Sequence, residues 1–365
     1  MFWSCLKGKG WVGLVIVSVL FAACSHDLPI APRVQSDIPA DGMWRAVGPY
    51  GLNVSAIAVT PTQPEVLLLS SDRGNIYRSG DSGQTWQRVA GLGVTIRTLQ
   101  FHPSDPDVVF AGTDLFGLEK STDGGLTWSP SGKGLELDPF VYAIAIDPQT
   151  PSTMYVGTFQ SIGTGGVYKS TDGGGTWQLA RNGMSDAFVL SLAMDPKRPE
   201  ILYAGTFNGA DGFYKSTDGA ASWVPANAGL RGKDVFAIRV HPEQTEIVYA
   251  ATGNGIYKST DGAQSWRTAN NGLSTLDIRA LVIDPKDPET IYAGSGLGVF
   301  RSTDGGANWT PVVAGLSNRV VLNLAIDPEN PQTLFAGAAG VVGEAELGTF
   351  MGGLFRSDNG GQRWQ

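Results

Sequence analysis

Seven times along the chain, a short run of apolar residues alternating large with small ends at a proline. The runs start at Val54, Ile96, Val141, Val189, Val235, Ile278 and Val321. They stop at Pro61, Pro103, Pro148, Pro196, Pro242, Pro285 and Pro328. Period-two alternation predicts a strand, and proline stops it because it offers no N–H to a ladder. The large positions are Ile57, Leu99, Ile144, Leu192, Ile238, Leu281 and Leu324. The alternate face is small: Ala56, Thr98, Ala143, Ser191, Ala237, Ala280 and Asn323. A small face against a large one lets two twisted sheets approach closely. Each run leads into a second strand, such as Thr153–Gly157. A third follows that carries an aromatic and then a base, as in Tyr168-Lys169.

After the third strand comes a repeated phrase, clearest as Ser121-Thr122-Asp123-Gly124-Gly125-Leu126-Thr127-Trp128. It recurs seven times, ending at Trp86, Trp128, Trp177, Trp223, Trp266, Trp309 and Trp364, at intervals of 42, 49, 46, 43, 43 and 55 residues. Its acidic slot holds Asp81, Asp123, Asp172, Asp218, Asp261, Asp304 and, degenerate, Asn359. Asp and Gly between two β-type runs predict a hairpin turn. The Asp is expected to accept backbone N–H groups two residues on, closing the turn. Gly supplies the positive φ, and Trp buries a large surface as a fourth strand begins. A repeat of this length predicts one array of like units rather than several domains.

The phrase resembles the Asp-box, or BNR repeat, of sialidase-like β-propellers, over residues 43–365. The resemblance implies an all-β fold, a seven-bladed β-propeller of four-stranded antiparallel blades, with the box as a structural turn away from the ligand face. Departures are Ala220 and Ala263 for the box Gly, Ser222 and Ser265 for its Thr, Asn308 and Arg363 in the same slot, and Asn359 for its Asp. Trp44-Arg45-Ala46-Val47 reads as a fourth strand with no blade before it, so residues 43–47 are expected to complete the seventh blade. The alternative is a chain that stops short of an eighth blade.

Composition changes little in this picture, but the first residues do. Residues 1–23 read as a signal peptide: Lys7 and Lys9, then the 13-residue apolar stretch Trp11–Ala23, too short for a comfortable membrane span. The stretch runs into Leu20-Phe21-Ala22-Ala23-Cys24, which resembles a bacterial lipoprotein signal. That implies lipidation of Cys24 and a cell-envelope location facing the periplasm or exterior. An ordinary signal peptide with a coincidental Cys is the other reading. Residues 24–42 form a polar, Pro-bearing tether, and residues 25–42 could reach about 60 Å when extended. The only other cysteine is Cys5, so a lipidated chain has no thiol in its fold, and no disulfide or Cys–metal site. The formal charge of −8 becomes about −10 without the leader lysines, which argues against nucleic acid as a partner.

In propellers of this kind, ligands meet the face formed by loops between blades and between second and third strands. On that face the longest loop is 338–353, with Glu344 and Glu346. Shorter ones are 159–166 and 207–212. The second position of the innermost strands faces the same rim and holds Ser55, Arg97, Tyr142, Leu190, Phe236, Arg279 and Leu322. Arg97 and Arg279 interrupt an otherwise uncharged set, and Arg73 and Arg319 fall in rim loops of the blades between them. Together with Tyr142 these four are the candidate binding residues, because guanidinium forks suit carboxylates and phosphates. Glu119 stands where the other third strands carry Tyr77, Tyr168, Tyr214, Tyr257, Phe300 or Phe355, and the simplest reading faces it to solvent. The bases Arg78, Lys120, Lys169, Lys215, Lys258, Arg301 and Arg356 also read as a solvated face. His102 and His241 replace Asp in the turn before Pro, His26 lies in the tether, and no metal site, cofactor or catalytic motif is expected.

Two functions fit. Non-enzymatic Asp-box propellers include photosystem II assembly-factor-like and sortilin-type domains. That likeness implies a membrane-tethered scaffold binding protein or glycan. The alternative is a glycoside hydrolase, sialidase-like or xyloglucanase-like. Against it, the Arg-Ile-Pro phrase of sialidases is missing and only one propeller is present. The rim acids Asp138, Asp186, Asp234 and Asp277 recur too regularly to look like a specialised pair.

Overall fold

The computed structural model describes residues 45–46, 48–49, 52–135, 139–159, 165–185, 188–207, 211–230, 234–316, 319–339 and 352–361, all within one compact unit, Asp41–Gln365. Cys24, the leader and tether, Glu344, Glu346, Asp138, Asp186 and Trp364 lie outside the described residues. The strands sort into seven four-stranded antiparallel sheets, which makes the fold a seven-bladed β-propeller. The inner strands, in order of blade, are Val54–Val59, Ile96–Phe101, Phe140–Ile146, Val189–Met194, Val235–Val240, Ile278–Ile283 and Val320–Ile326. Blade 7 takes its outer strand from the other end of the chain. Arg45–Ala46 pairs with Gly353–Ser357, Arg45 opposite Arg356 and Ala46 opposite Phe355, so the first strand ties the ring shut.

Stacking of blades explains the burial pattern. The second strands are buried at every position in blades 1, 2, 4, 5 and 6, because a neighbour covers each face. Close approach needs small residues there. A Cβ on Gly112 would lie 2.5 Å from the Val141 carbonyl of the next blade, and one on Gly157 would lie 2.6 Å from a methyl of Val189.

Each box is closed by its own side chains. Ser121 Oγ donates to Asp123 Oδ1 at 2.7 Å and accepts the N–H of Gly125 at 2.9 Å. Asp123 Oδ1 accepts the N–H groups of Leu126 and Thr127, and Oδ2 accepts the Thr127 hydroxyl. The carboxylate therefore reaches three and four residues ahead, not two. The hydroxyl and N–H of Thr127 hold Asp123 down to about 2, and Ser265 does the same for Asp261. Hydrogen bonds to the ionised form produce this shift. In the degenerate box Ser357 donates to the Asn359 carbonyl oxygen at 3.0 Å. Ala220 and Ala263 keep the glycine conformation, with φ of 68° and 69°. His241 does take an Asp role: its Nδ1 accepts the N–H groups of Glu243 and Gln244, as Asp195 does for Lys197 and Arg198.

The boxes also join the blades. The ring N–H groups of Trp177, Trp223, Trp266 and Trp309 donate to Ser131, Ala180, Ala226 and Ala269 of the preceding blade, at 2.8 to 2.9 Å. The four lysines of the third strands are part of the same joint, which corrects their reading as a solvated face. Lys120, Lys169, Lys215 and Lys258 are half-buried, and each donates to a box carbonyl of the next blade: Gly173, Gly219, Gly262 and Gly305. Each ammonium also sits 5.2 to 5.6 Å from the ring centre of Phe110, Tyr155, Tyr203 or Tyr249 in its own blade. The sequence could not display this because the box carbonyl lies 47 to 53 residues further along the chain.

Glu119 is likewise buried, not solvated: 8% of it is exposed. Its strand places it opposite Ala111 on one side and Pro130 on the other. Burial pushes its carboxyl up from the ordinary range, because a charge that loses water without gaining a partner is disfavoured.

Candidate functional site at the axial mouth

All seven inner strands carry a register shift around their second position, between Val54 and Ala56 in blade 1 and at the matching residues elsewhere. A bulge inserts one residue without a ladder partner and re-aims its side chain. The re-aimed residues are the second-position set itself. Six of them, Arg97, Tyr142, Leu190, Phe236, Arg279 and Leu322, line a cavity of about 560 Å³ on the propeller axis, to which every blade contributes. Side-chain alternation alone locates this position but does not reveal the bulge.

The two arginines of the mouth are already paired. Arg97 grips Asp114 with both ends of its fork, Nε to Oδ1 at 2.8 Å and Nη2 to Oδ2 at 2.6 Å. Arg279 Nε meets Asp277 Oδ1 at 2.6 Å. Each guanidinium also lies over an aromatic ring of an adjacent blade. Arg97 is 5.3 Å from the ring centre of Tyr142, and Arg279 is 4.1 Å from that of Phe236. Arg97 thus leans from blade 2 toward blade 3, and Arg279 from blade 6 toward blade 5. Burial, opposed by the nearby Arg97 charge, pushes the Tyr142 phenol up.

The four candidate arginines therefore divide. Arg97 and Arg279 share the axial cavity. Arg73 lines a separate hollow of about 300 Å³ with Thr95, Asp114, Leu115 and Phe140. Arg319 stacks on Phe355, 4.9 Å from its centre, and lines neither. Asp114 lines the smaller hollow beside Arg73 and is held by Arg97, whose own side chain lines the axial cavity.

Aromatic side chains connect the mouth to the rim. Phe159 stands edge-on to Phe140 at 5.4 Å, to Tyr142 at 6.4 Å and to Phe188 at 4.3 Å. Beyond them Leu115, Phe116, Phe207, Leu276, Leu297 and Leu322 are exposed, at 37 to 57%. All six belong to rim loops or the mouth. Among the described residues, the other large exposed apolar side chains, Leu126, Leu179 and Val224, are scattered over box turns and outer strands. No aspartate or glutamate is among the described residues lining the axial cavity. The exposed apolar residues formed no pattern along the chain, because they come from loops of several blades.

No protein-family model matches the chain, and no curated protein matches it in sequence. Solved structures do match. An ancestral GH74 enzyme superposes with a TM-score of 0.67 at 18% identity, covering 86% of this chain and 47% of its own. The GH74 xyloglucanase from Xanthomonas campestris gives 0.67 and 18%, covering 87% of this chain and 53% of that one. This chain spans about half the length of those GH74 proteins. YCF48 from Cyanidioschyzon merolae gives 0.62 at 18% identity, covering 86% of this chain and 98% of its own. YCF48 bound to D1 peptide gives 0.65 at 17%, covering 86% and 96%. The similarity is one of fold: this chain is built like the propellers of GH74 enzymes and like the whole of YCF48.

Proposed function

We propose that the protein is a lipid-anchored scaffold of the bacterial cell envelope whose axial-mouth face binds a protein partner. The observation that carries this is the gathering of Leu115, Phe116, Phe207, Leu276, Leu297 and Leu322 on one face, around a mouth of stacked arginines and aromatic rings. Exposed apolar residues rimmed by polar groups mark interaction sites, and aromatic and arginine side chains dominate the anchors of interfaces. The anchoring part rests on the leader and Cys24. The similar YCF48 propeller, of comparable length, is bound to D1 peptide, which favours a protein over a glycan here. Glycoside hydrolysis asks for two facing carboxyls, and among the described residues Asp114 and Asp277, the acids paired with the mouth arginines, are already engaged by Arg97 and Arg279.

Photo-cross-linking in the native envelope tests the reading. A benzophenone amino acid at position 116 should give a discrete protein adduct, and one at position 126, on a box turn, should not. Equal labelling from both positions would remove the argument for this face. Turnover of xyloglucan or a sialoside by the purified chain, lost in Arg97→Ala, would replace the scaffold with the hydrolase.

A further inference from the structure

One charge in the channel has no counterpart in the mouth. The fifth position of the inner strands is Ala58, Ala145, Ala193, Val282 and Ala325 in five blades, Gln100 in blade 2 and Arg239 in blade 5. The fold therefore has no need of a long cation at this level. Arg239 lines the axial cavity together with Gln100. The part of its surface left free opens on that channel, and protein surrounds the rest, which disfavours its charged form. Among the described residues its hydrogen bond is Nη1 to the carbonyl of Ile238, on its own strand, at 2.8 Å. A guanidinium has five N–H donors, so most have no protein acceptor among the described residues. Arg97 and Arg279 each hold a carboxylate, whereas no acid is among the described residues lining the cavity beside Arg239. A cation in such surroundings is unfavourable until a counter-charge arrives.

We propose that Arg239 makes the axial channel a binding site for a small anion carrying a carboxylate or phosphate group. The volume of about 560 Å³ is in the range of small-molecule sites, roughly 300–1,000 Å³. The guanidinium fork meets such a group with two parallel hydrogen bonds. Gln100 and Thr98 supply neutral polar groups, and Leu99, Ile144, Leu192 and Leu324 give apolar walls that strengthen those bonds by thinning water. The anion enters through the mouth, past Arg97 and Arg279. This site lies inside the channel and does not depend on a protein partner at the rim loops.

The test is calorimetric titration of the full chain with sodium phosphate and, separately, sodium succinate, at ionic strength held constant with sodium chloride. Thermal unfolding is followed in parallel. At least one of the two anions should bind the wild-type chain and raise its Tm, and Arg239→Gln should weaken that affinity by about tenfold or more, with Arg239→Lys between the two. Succinate alone would assign a carboxylate site, and phosphate alone a phosphate site. Without either anion, Arg239→Ala should melt no lower than the wild type, because alanine serves this position in four other blades. No binding by the wild type, or equal binding by Arg239→Gln, would overturn the proposal. So would a lowered Tm of Arg239→Ala that neither anion affects, which would make Arg239 a structural plug.

Discussion

The joints between blades 2 and 6 differ from those on either side of blade 1. In blades 3 to 6 each box Trp is buried and donates its ring N–H across the joint to the preceding blade. Trp86 and Trp128, facing blades 7 and 1, are half-buried and donate to their own boxes, at Gly83 and Gly125. The cause lies in the outer strand of the preceding blade. In blades 2 to 5 it stops after two residues and the chain turns, so that the carbonyls of Lys133, Asn182, Ala228 and Asn271 accept the N–H of the next Trp. A glycine six residues after each of those outer-strand tryptophans permits the contact. A Cβ on Gly134, Gly183, Gly229 or Gly272 would lie 2.1 to 2.4 Å from the carbonyl oxygen of the next Trp. Blade 1 instead continues its outer strand through Gln87–Gly91, pairing up to Asn75, and its Gly93 has open space around it. The same phrase thus makes two kinds of joint, and the residues after it choose which.

Substitution of these glycines should separate the two kinds most sharply. Gly272→Val must hold a β-branched residue at a φ of 88° against the Trp309 carbonyl. Adverse conformation and overpacking together should remove about 3 kcal/mol or more of stability. Gly93→Ala meets no neighbour and should cost only about 1 kcal/mol, from its φ of 74°. Chemical denaturation of both variants checks the contrast, and equal losses would dissolve it.

Next in size is the indole bond. Trp266→Phe keeps a ring but leaves the Ala226 carbonyl without its donor, which should cost about 1–3 kcal/mol. Trp128→Phe should cost visibly less, since it breaks a contact inside one half-buried box. Matched losses in the denaturation midpoint would mean that the ring, not the cross-blade bond, is what joins blades.

Glu119 sharpens the comparison through pH. It is buried in blade 2, on the third strand whose residues in other blades pack against the preceding blade. Its folded pKa is raised, so its contribution is fully present below the ordinary carboxylate range. That contribution is lost as pH rises through the folded value. Glu119→Gln should therefore gain on the wild type by roughly 1 kcal/mol as pH rises toward neutrality. The box carboxylates have the opposite sign. Those of Asp123 and Asp261 stabilise above the ordinary range and lose effect as pH falls toward about 2. Stability profiles of wild type and Glu119→Gln that run parallel across this window would show that the buried Glu119 carboxyl does not destabilise blade 2 as it ionises.

The smallest expected effect belongs to the lysine bridges. Lys215→Met removes the bond to Gly262 and the contact with Tyr203 while keeping most of the apolar stem. A loss of about 0.5–1 kcal/mol in thermal unfolding is expected. No measurable loss would return these bases to the solvated role their exposed half suggests.

Much of this fold is legible along the chain because its information is local and repeated. The alternation at Val54, Ile96 and their five counterparts, the proline stops and the Ser–Asp–Gly turn are all short-range signals, and blades repeat them. The mouth was half legible. The second strand position drew attention to Arg97, Tyr142 and Arg279, but nothing nearby in sequence pointed to Asp114 as the anchor of Arg97, 17 residues on. The glycines after the box drew no reading along the chain, and their purpose appears only when the next Trp is 2.1 Å from a would-be methyl.

Local hydrogen-bond geometry and side-chain alternation were enough to specify seven four-stranded units and their turns, because strands and tight turns are decided over fewer than ten residues. Contacts between blades were left to the ring as a whole. Closure placed Arg45–Ala46 on blade 7, turned Glu119 inward, set Arg97 over Tyr142 and Arg279 over Phe236, and left Arg239 facing an axial cavity with no acid among its described lining residues. Those outcomes depend on which residues of separate blades meet at one radius, and no stretch of chain shorter than the ring contains that information.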